Sequence, residues 1–160
     1  MNDVYEEEKR QLFTPLDISK LVAVIALGAV VGLLIWGLMV VIDRYILDPV
    51  LCQGQALQCA NTSQYSEAIA SIVGAGVGLF FLVRLQVFRP LLVVVAAIAS
   101  LWGIIGQAAL LPWYGIGLSV VLLYAFAYAV FMWVARIRSF PMVVIVYVVL
   151  VAAVRVALSL

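Results

Sequence analysis

Histidine is absent from this chain of 160 residues, only two residues are cysteine, and charged residues make up 11%. Histidine is the commonest metal-binding side chain and the commonest general acid or base near neutral pH. Two cysteines without histidine are too few for a zinc site, which needs further ligands. The net charge of +1 gives no sign of a nucleic-acid partner. These absences predict a chain without a metal, a cofactor or a catalytic centre, so we do not expect an enzyme.

Apolar residues, in contrast, make up 68% of the chain, whereas soluble domains contain roughly 45–50%. A soluble core of this size cannot bury so much apolar surface. Inside a bilayer the backbone must satisfy its own hydrogen bonds, which restricts membrane-spanning segments to helices and closed barrels. The long apolar runs of this chain lack the two-residue alternation of a barrel strand. The sequence therefore predicts an all-α, polytopic integral membrane protein.

Five apolar segments are predicted to be transmembrane helices, since about 20 residues cross the hydrocarbon core. They cover approximately residues 21–42, 67–83, 90–110, 116–135 and 141–160. The predicted organisation is a polar N-terminal arm, residues 1–20, followed by a single transmembrane domain, residues 21–160. Residues 43–66 form the longest polar connection and are expected to be an outer loop.

Local signals mark where several of these helices begin. Pro90 and Pro141 stand at the start of the third and fifth segments, where proline is tolerated in the first turn. Ser63 or Ser66 is expected to cap the second helix, with Glu67 in its first turn, where the helix dipole favours an acid. Residues 111–115 are typical of a tight aromatic turn before the fourth helix.

The distribution of basic residues predicts the orientation. With the N-terminus in the cytoplasm, seven Lys and Arg residues lie inside and two lie outside, which agrees with the positive-inside rule. The inside residues are Lys9, Arg10, Lys20, Arg84, Arg89, Arg136 and Arg138, and the outside residues are Arg44 and Arg155. Five spans then place the C-terminus outside, in the periplasm of a bacterial inner membrane. The alternative is four spans plus a re-entrant C-terminal segment, which leaves the C-terminus inside.

Both cysteines, Cys52 and Cys59, belong to the outer loop. Their spacing does not match the redox motif Cys-x-x-Cys. In an oxidising compartment a structural disulfide is the expected state, and on the chain-entropy account it would stabilise the loop by roughly 2–3 kcal/mol. A reactive exchange pair and two free thiols are the alternatives. The expected role of the disulfide is to stiffen a loop displayed outside the membrane.

Small residues predict where helices approach each other closely. Gly28 and Gly32 form a Gly-x-x-x-Gly pair on the first helix, and Ala70, Gly74 and Gly78 continue this spacing on the second. In lipid, such faces allow van der Waals packing of one helix backbone on another. Packing within the chain is the favoured interpretation, and a subunit interface is the alternative. A leucine at position 74 should disturb assembly more than one at Val93, which is expected to face lipid.

Polar residues inside spans are costly and are therefore functional candidates. Ser100 and Gln107 share a face of the third helix with Gly103, and Tyr124 and Tyr128 share a face of the fourth. Interhelical hydrogen bonding is favoured over the lining of a substrate path. Arg155 interrupts the last apolar run, and we expect it to form an ion pair with Glu67, which the topology places at the same side of the membrane; snorkelling to the interface is the alternative.

Three classes of function remain. The favoured one is a non-catalytic membrane protein that acts through helix and loop contacts, as an accessory or assembly subunit of a membrane complex or in envelope biogenesis. The alternative is a homo-oligomeric transporter or channel for an uncharged or lipid-like substrate. A membrane enzyme acting on lipids or thiols is disfavoured. The expected partners are membrane lipids and other membrane-protein subunits or further copies of the chain.

Overall fold

The computed structural model describes residues 18–47, 62–104, 112–137 and 139–159, and these residues are almost entirely helical. Within them the chain forms five α-helices and one π-helical turn, which extends the first helix. The helices are α1 (Ile18–Ile42), α2 (Thr62–Arg84), α3 (Pro90–Leu101), α4 (Trp113–Ala135) and α5 (Phe140–Ser159), and the π-helical turn is Asp43–Leu47. The all-α expectation is confirmed for this part of the chain.

Four of these helices, α1, α2, α4 and α5, are long and apolar enough to cross a membrane. The short one is α3, whose 12 residues extend roughly 18 Å at 1.5 Å per residue, against a hydrocarbon core of about 30 Å. The third segment was expected to be helical over residues 90–110; helix α3 ends at Leu101, Ile104 is helical again, and residues 105–110 lie outside the described residues. Trp102 and Gly103 form a turn there, and Gly103 has a φ of +83°. Among the described helices, α3 is the one that is too short to cross a membrane by itself.

Two expectations about helix starts are wrong. Helix α2 begins at Thr62, one turn earlier than predicted, so Glu67 lies beyond the first turn and cannot act there on the helix dipole. Residues 113–115, expected in a turn, form the first turn of α4, because the extended backbone of Pro112 already provides the N-cap position. Pro90 does occupy the start of α3 as predicted.

A left-handed residue ends α2 and reverses the chain. Gln86 has a φ of 53°; its N–H donates to the Val83 carbonyl at 3.0 Å, and the Val87 N–H donates to the Leu82 carbonyl at 3.1 Å. This is the hydrogen-bond pattern of a Schellman motif, which satisfies carbonyls at the end of a helix. The chain therefore turns within a few residues and enters α3 at Pro90.

Helix α1 lies between α2 and α4 and contacts both along much of its length. Gly28 lies against Tyr124 and Ala125, whereas Gly32 lies against Val120 and Val121. Residue numbers thus rise along α1 while they fall along α4. The two helices are antiparallel.

The other helices alternate in direction as well. Gly74 contacts Ile35 of α1, and Gly78, one turn later on α2, contacts Val31, so α2 is also antiparallel to α1. The Arg89 guanidinium, just before α3, lies 5.1 Å from the ring centre of Phe140, at the start of α5. Helices α3 and α5 therefore begin at the same end of the bundle.

The bundle has one apolar core with contributions from all five helices. Its fully buried apolar residues include Val24, Val31, Ile35, Leu82, Val93, Val120 and Val143. The assignment of Val93 to a lipid-facing position is wrong, because its side chain has no exposed surface. An uninterrupted run of valines, such as the one around residue 93, gives no periodicity from which a sequence could distinguish the two faces.

Candidate functional site at the break in the third helix

The turn at Trp102 and Gly103 ends α3 within the apolar third segment. A backbone group without a hydrogen-bond partner costs several kcal/mol in hydrocarbon, so a break of this kind needs partners from elsewhere. The Gly103 N–H donates to Glu67 Oε1 of α2 at 2.6 Å. The Trp102 carbonyl accepts from Arg155 Nη1 of α5 at 2.7 Å. Two charged side chains from two other helices therefore satisfy one carbonyl and one N–H at the break.

The accepting carbonyl and the donating N–H belong to a single peptide group, the one that joins Trp102 to Gly103. This bond is trans, so its C=O and N–H point in opposite directions. Glu67 and Arg155 consequently bind opposite edges of one planar unit. We call Glu67, Arg155 and the Trp102–Gly103 peptide the peptide clamp.

The peptide clamp joins the two residues that the sequence suggested as an ion pair. Glu67 is buried, whereas Arg155 is largely exposed. Their charges attract each other, and the hydrogen bonds run through the shared peptide group. Burying a carboxylate is costly unless it is hydrogen-bonded and offset by a cation, and the clamp provides both.

A column of polar and small side chains leads from the clamp into the bundle. Glu67, Ser71, Gly74 and Gly78 recur on one face of α2 and are buried there, together with Ala70. The column extends roughly 16 Å, given 1.5 Å per residue. It therefore connects one end of the bundle with its middle.

Two tyrosines of α4, both buried, face this column. The Tyr124 hydroxyl is hydrogen-bonded to Ser71. The Tyr128 hydroxyl lies directly on Gly78, where a Cβ atom would overlap it. Tyr128 Oη is buried and has no hydrogen-bond partner among the described residues. The column thus ends at a polar atom in an apolar surrounding.

The remaining polar candidates that the structure describes are hydrogen-bonded to backbone carbonyls. The Ser100 hydroxyl donates to the Ala97 carbonyl of its own helix at 2.9 Å, rather than to another helix as expected. The Tyr147 hydroxyl of α5 donates to the Phe131 carbonyl of α4 at 2.7 Å, and the two rings stack with their centres 5.1 Å apart. Gln107 lies outside the described residues, as do Cys52 and Cys59 with their predicted disulfide.

The small residues lie at helix contacts within the chain. A Cβ atom on Gly28 would be 2.9 Å from the Tyr124 carbonyl oxygen, and one on Gly32 would be 3.1 Å from the Val120 carbonyl oxygen. Gly74 instead lies under the side chain of Ile35. The Gly-x-x-x-Gly pair of α1 therefore contacts backbone, whereas the glycines of α2 contact side chains.

The break in α3 was missed by the sequence reasoning, although two signals for it were present. Gly103 interrupts an apolar helix, where glycine costs about 1 kcal/mol relative to alanine, and Trp102 lies deeper than an interfacial tryptophan should. Among the described residues, no three His, Cys, Asp or Glu side chains are close enough to hold a metal ion. No protein family, curated protein or solved structure matches the chain.

Proposed function

We propose that this chain is a non-catalytic integral membrane protein that acts by binding other membrane proteins, as an accessory or assembly subunit of a complex or in envelope biogenesis. The hydrogen bonds of Glu67, Arg155 and Tyr147 support this proposal, since all three side chains bind backbone groups of the chain itself. Polar groups engaged in this way stabilise a fold. They are not available to bind a substrate.

One observation carries the proposal: α5 is much less buried than the other long helices. Only 11% of its membrane-length stretch is buried in the bundle, against 33–39% for α1, α2 and α4. Helices associate in lipid through close packing. Because α5 has few packing contacts within the chain, we expect it to pack against another protein. The exposed surface of α5 includes two small residues, Ala152 and Ala153, which permit a close approach.

A groove of about 400 Å³ lies between α3 and α5 and contains further small residues, Ala96 and Ala99. Its walls are otherwise formed by valine and leucine side chains together with Tyr147. A groove with a small-residue floor fits a transmembrane helix of another subunit, because side chains of that helix can fill it. The surface proposed to bind partners is therefore α5 with the α3–α5 groove.

Purification in a mild detergent tests this function. We expect a defined membrane protein to co-purify with the chain, and we expect an Ala152→Trp variant to lose it because the bulky ring fills the groove. The matched control is Ala26→Trp, at an exposed alanine of α1, which should retain the partner. If the parent chain purifies alone as a monomer, or if both variants retain the same partner, the proposal is wrong.

The proposed topology is five crossings of a bacterial inner membrane, with the N-terminus in the cytoplasm and the C-terminus outside. Helices α2 and α4 both run antiparallel to α1, so the chain between Arg84 and Trp113 has to return from one end of the bundle to the other. The short helix α3 begins that return. The count of basic residues, seven inside against two outside, supports the orientation.

The alternative function is a homo-oligomeric transporter or channel for an uncharged or lipid-like substrate. The break in α3 favours it, because broken helices with backbone groups bound by polar partners are typical of transporter sites. The buried hydroxyl of Tyr128, which lacks a partner among the described residues, supports it further. Flux of an uncharged solute into vesicles that contain the purified chain, abolished by Tyr128→Phe, would favour this function over the first.

A further inference from the structure

A second groove lies at the C-terminal end of α1, between α1 and α4. It encloses about 490 Å³, within the range of roughly 300–1,000 Å³ of small-ligand sites. Its walls are formed by Trp36, Met39, Val40, Arg44, Trp113 and Ile116. We call it the α1–α4 groove. Of the described residues that line it, all are apolar or aromatic except one.

The single charged residue, Arg44, stands at one end of the groove. Trp36, Val40 and Arg44 follow each other at intervals of four residues, so they share one side of α1 and its π-helical extension. From Trp36 to Arg44 the distance along the axis is roughly 12 Å at 1.5 Å per residue. The groove therefore runs parallel to the helix, apolar over most of its length and cationic at the end.

The aromatic wall of the groove is held in place by packing. The rings of Trp36 and Trp113 stack, with centroids 6.2 Å apart and planes 13° from parallel. Trp36 also lies over Gly117, where a Cβ atom would be 3.0 Å from the indole. Contacts on two sides restrict the ring, so the wall is present before any ligand binds, which lowers the cost of binding.

Arg44 supplies the positive charge that an anion would bind. Its side chain is exposed and forms no ion pair with another residue in the part of the chain that the structure describes. The neighbouring acid, Asp43, does not line the groove. A guanidinium presents several N–H donors in a plane that matches phosphate oxygens.

From the charge at one end and the apolar walls along the remainder, we infer that the α1–α4 groove binds an anionic phospholipid. The phosphate binds Arg44, and an acyl chain lies along Val40, Met39 and Trp36. The groove is arranged like a lipid in one leaflet. Its cation, Arg44, lies beyond the apolar run of α1, where a headgroup would be, and its apolar wall lies alongside that run, where an acyl chain would be. This site is independent of the partner surface proposed on α5.

Fluorescence quenching by brominated lipids tests the inference. The full chain, with Trp102→Phe and Trp133→Phe, keeps Trp36 and Trp113 as reporters in the groove. In phosphatidylcholine vesicles, a small fraction of brominated phosphatidylglycerol should quench both reporters more strongly than the same fraction of brominated phosphatidylcholine. We expect Arg44→Gln to weaken the apparent affinity for phosphatidylglycerol about fivefold, the effect of one basic residue near anionic lipid.

Two further variants serve as controls. Arg44→Lys keeps the charge and should keep most of the preference, whereas Arg84→Gln removes an exposed arginine outside the groove, at the far end of α2, and should change nothing. Equal quenching by the two brominated lipids would overturn the inference, as would equal losses in Arg44→Gln and Arg84→Gln. Full competition by soluble glycerol phosphate would identify a free phosphate compound as the ligand and would also overturn it.

Discussion

At the scale of single residues, Glu67 shows how a carboxylate is accommodated inside an apolar bundle. Its Oε1 atom accepts a hydrogen bond from the Gly103 N–H, which lies in the turn just after α3. The carboxylate and the break in α3 therefore stabilise each other. The carboxylate gives the Gly103 N–H an acceptor, and the N–H gives the buried carboxylate a donor. Arg155 contributes a positive charge at the other edge of the same peptide.

We expect Glu67→Leu to lower the free energy of unfolding by about 1–3 kcal/mol, the cost of leaving a buried N–H without a partner. Glu67→Gln should lose less, since its amide oxygen can still accept from Gly103. Thermal unfolding in detergent, followed by circular dichroism, measures both. Gln64→Leu, at an exposed position of the same helix, is the control and should resemble the parent.

The clamp also predicts that Glu67 and Arg155 are coupled. In a double-mutant cycle, the combined loss in Glu67→Leu with Arg155→Leu should be smaller than the sum of the two single losses, with a coupling of about 0.5–3 kcal/mol. Each single variant already weakens the hold on the shared peptide. Strict additivity of the two losses would show that the residues act independently.

Sequence reasoning could predict that Glu67 and Arg155 come close, because the topology places both at one end of the bundle. It could not predict that both side chains bind the Trp102–Gly103 peptide group, which lies between them. The partners of the break lie 36 and 53 positions from it in the chain, and no local pattern around Gly103 records so distant a contact. The burial of Val93 was also missed. Three successive valines give no hydrophobic periodicity, so the sequence does not show which of them faces the core.

At the scale of helices, the glycines of α1 differ sharply in their surroundings. A Cβ atom on Gly28 would be within 3.0 Å of α4 backbone atoms, whereas one on Gly37 would have no atom of another described helix within 4 Å. The spacing of Gly28 and Gly32 predicted a close helix contact, and the structure shows that α4 is the helix contacted. The identity of that helix depends on how the bundle is assembled, which spacing alone does not reveal.

This difference provides a matched pair of substitutions in one helix. Gly28→Ala should destabilise the protein by about 1–3 kcal/mol, because α1 and α4 have to move apart to admit the methyl group. Gly37→Ala should be neutral or stabilising by up to about 1 kcal/mol, since alanine favours helix and meets no obstacle. Unfolding in mixed micelles gives both values. Similar losses in the two variants would contradict the contact between Gly28 and α4.

At the scale of the whole molecule, the alternation of helix directions is the main topological feature. The described residues form five α-helices, and four of them are long and apolar enough to cross a membrane. The end of α3 was not predicted, because the apolar run continues past Leu101 and a single glycine at 103, which costs only about 1 kcal/mol relative to alanine, does not by itself end a helix. Its end is set by Trp102 and Gly103 and by contacts with α2 and α5.

The proposed five crossings predict opposite locations for the two termini. Alkaline phosphatase fused after Leu160 should be active in bacterial cells, and green fluorescent protein fused at the N-terminus should be fluorescent. The same phosphatase fused after Arg136, between α4 and α5, should be inactive because the proposed topology places that connection in the cytoplasm. An inactive phosphatase at the C-terminus, together with fluorescence from a fluorescent protein placed there, would show an even number of crossings.

The peptide clamp also has a consequence for the order of events during synthesis. Glu67 is made before the break in α3, but Arg155 follows Trp102 by 53 residues. At about 5–20 residues per second, several seconds pass on the ribosome before the donor for the Trp102 carbonyl exists. During that interval the Trp102 carbonyl has to find its partner in water or in another protein. We therefore expect α3 to enter lipid only after α5 has been made.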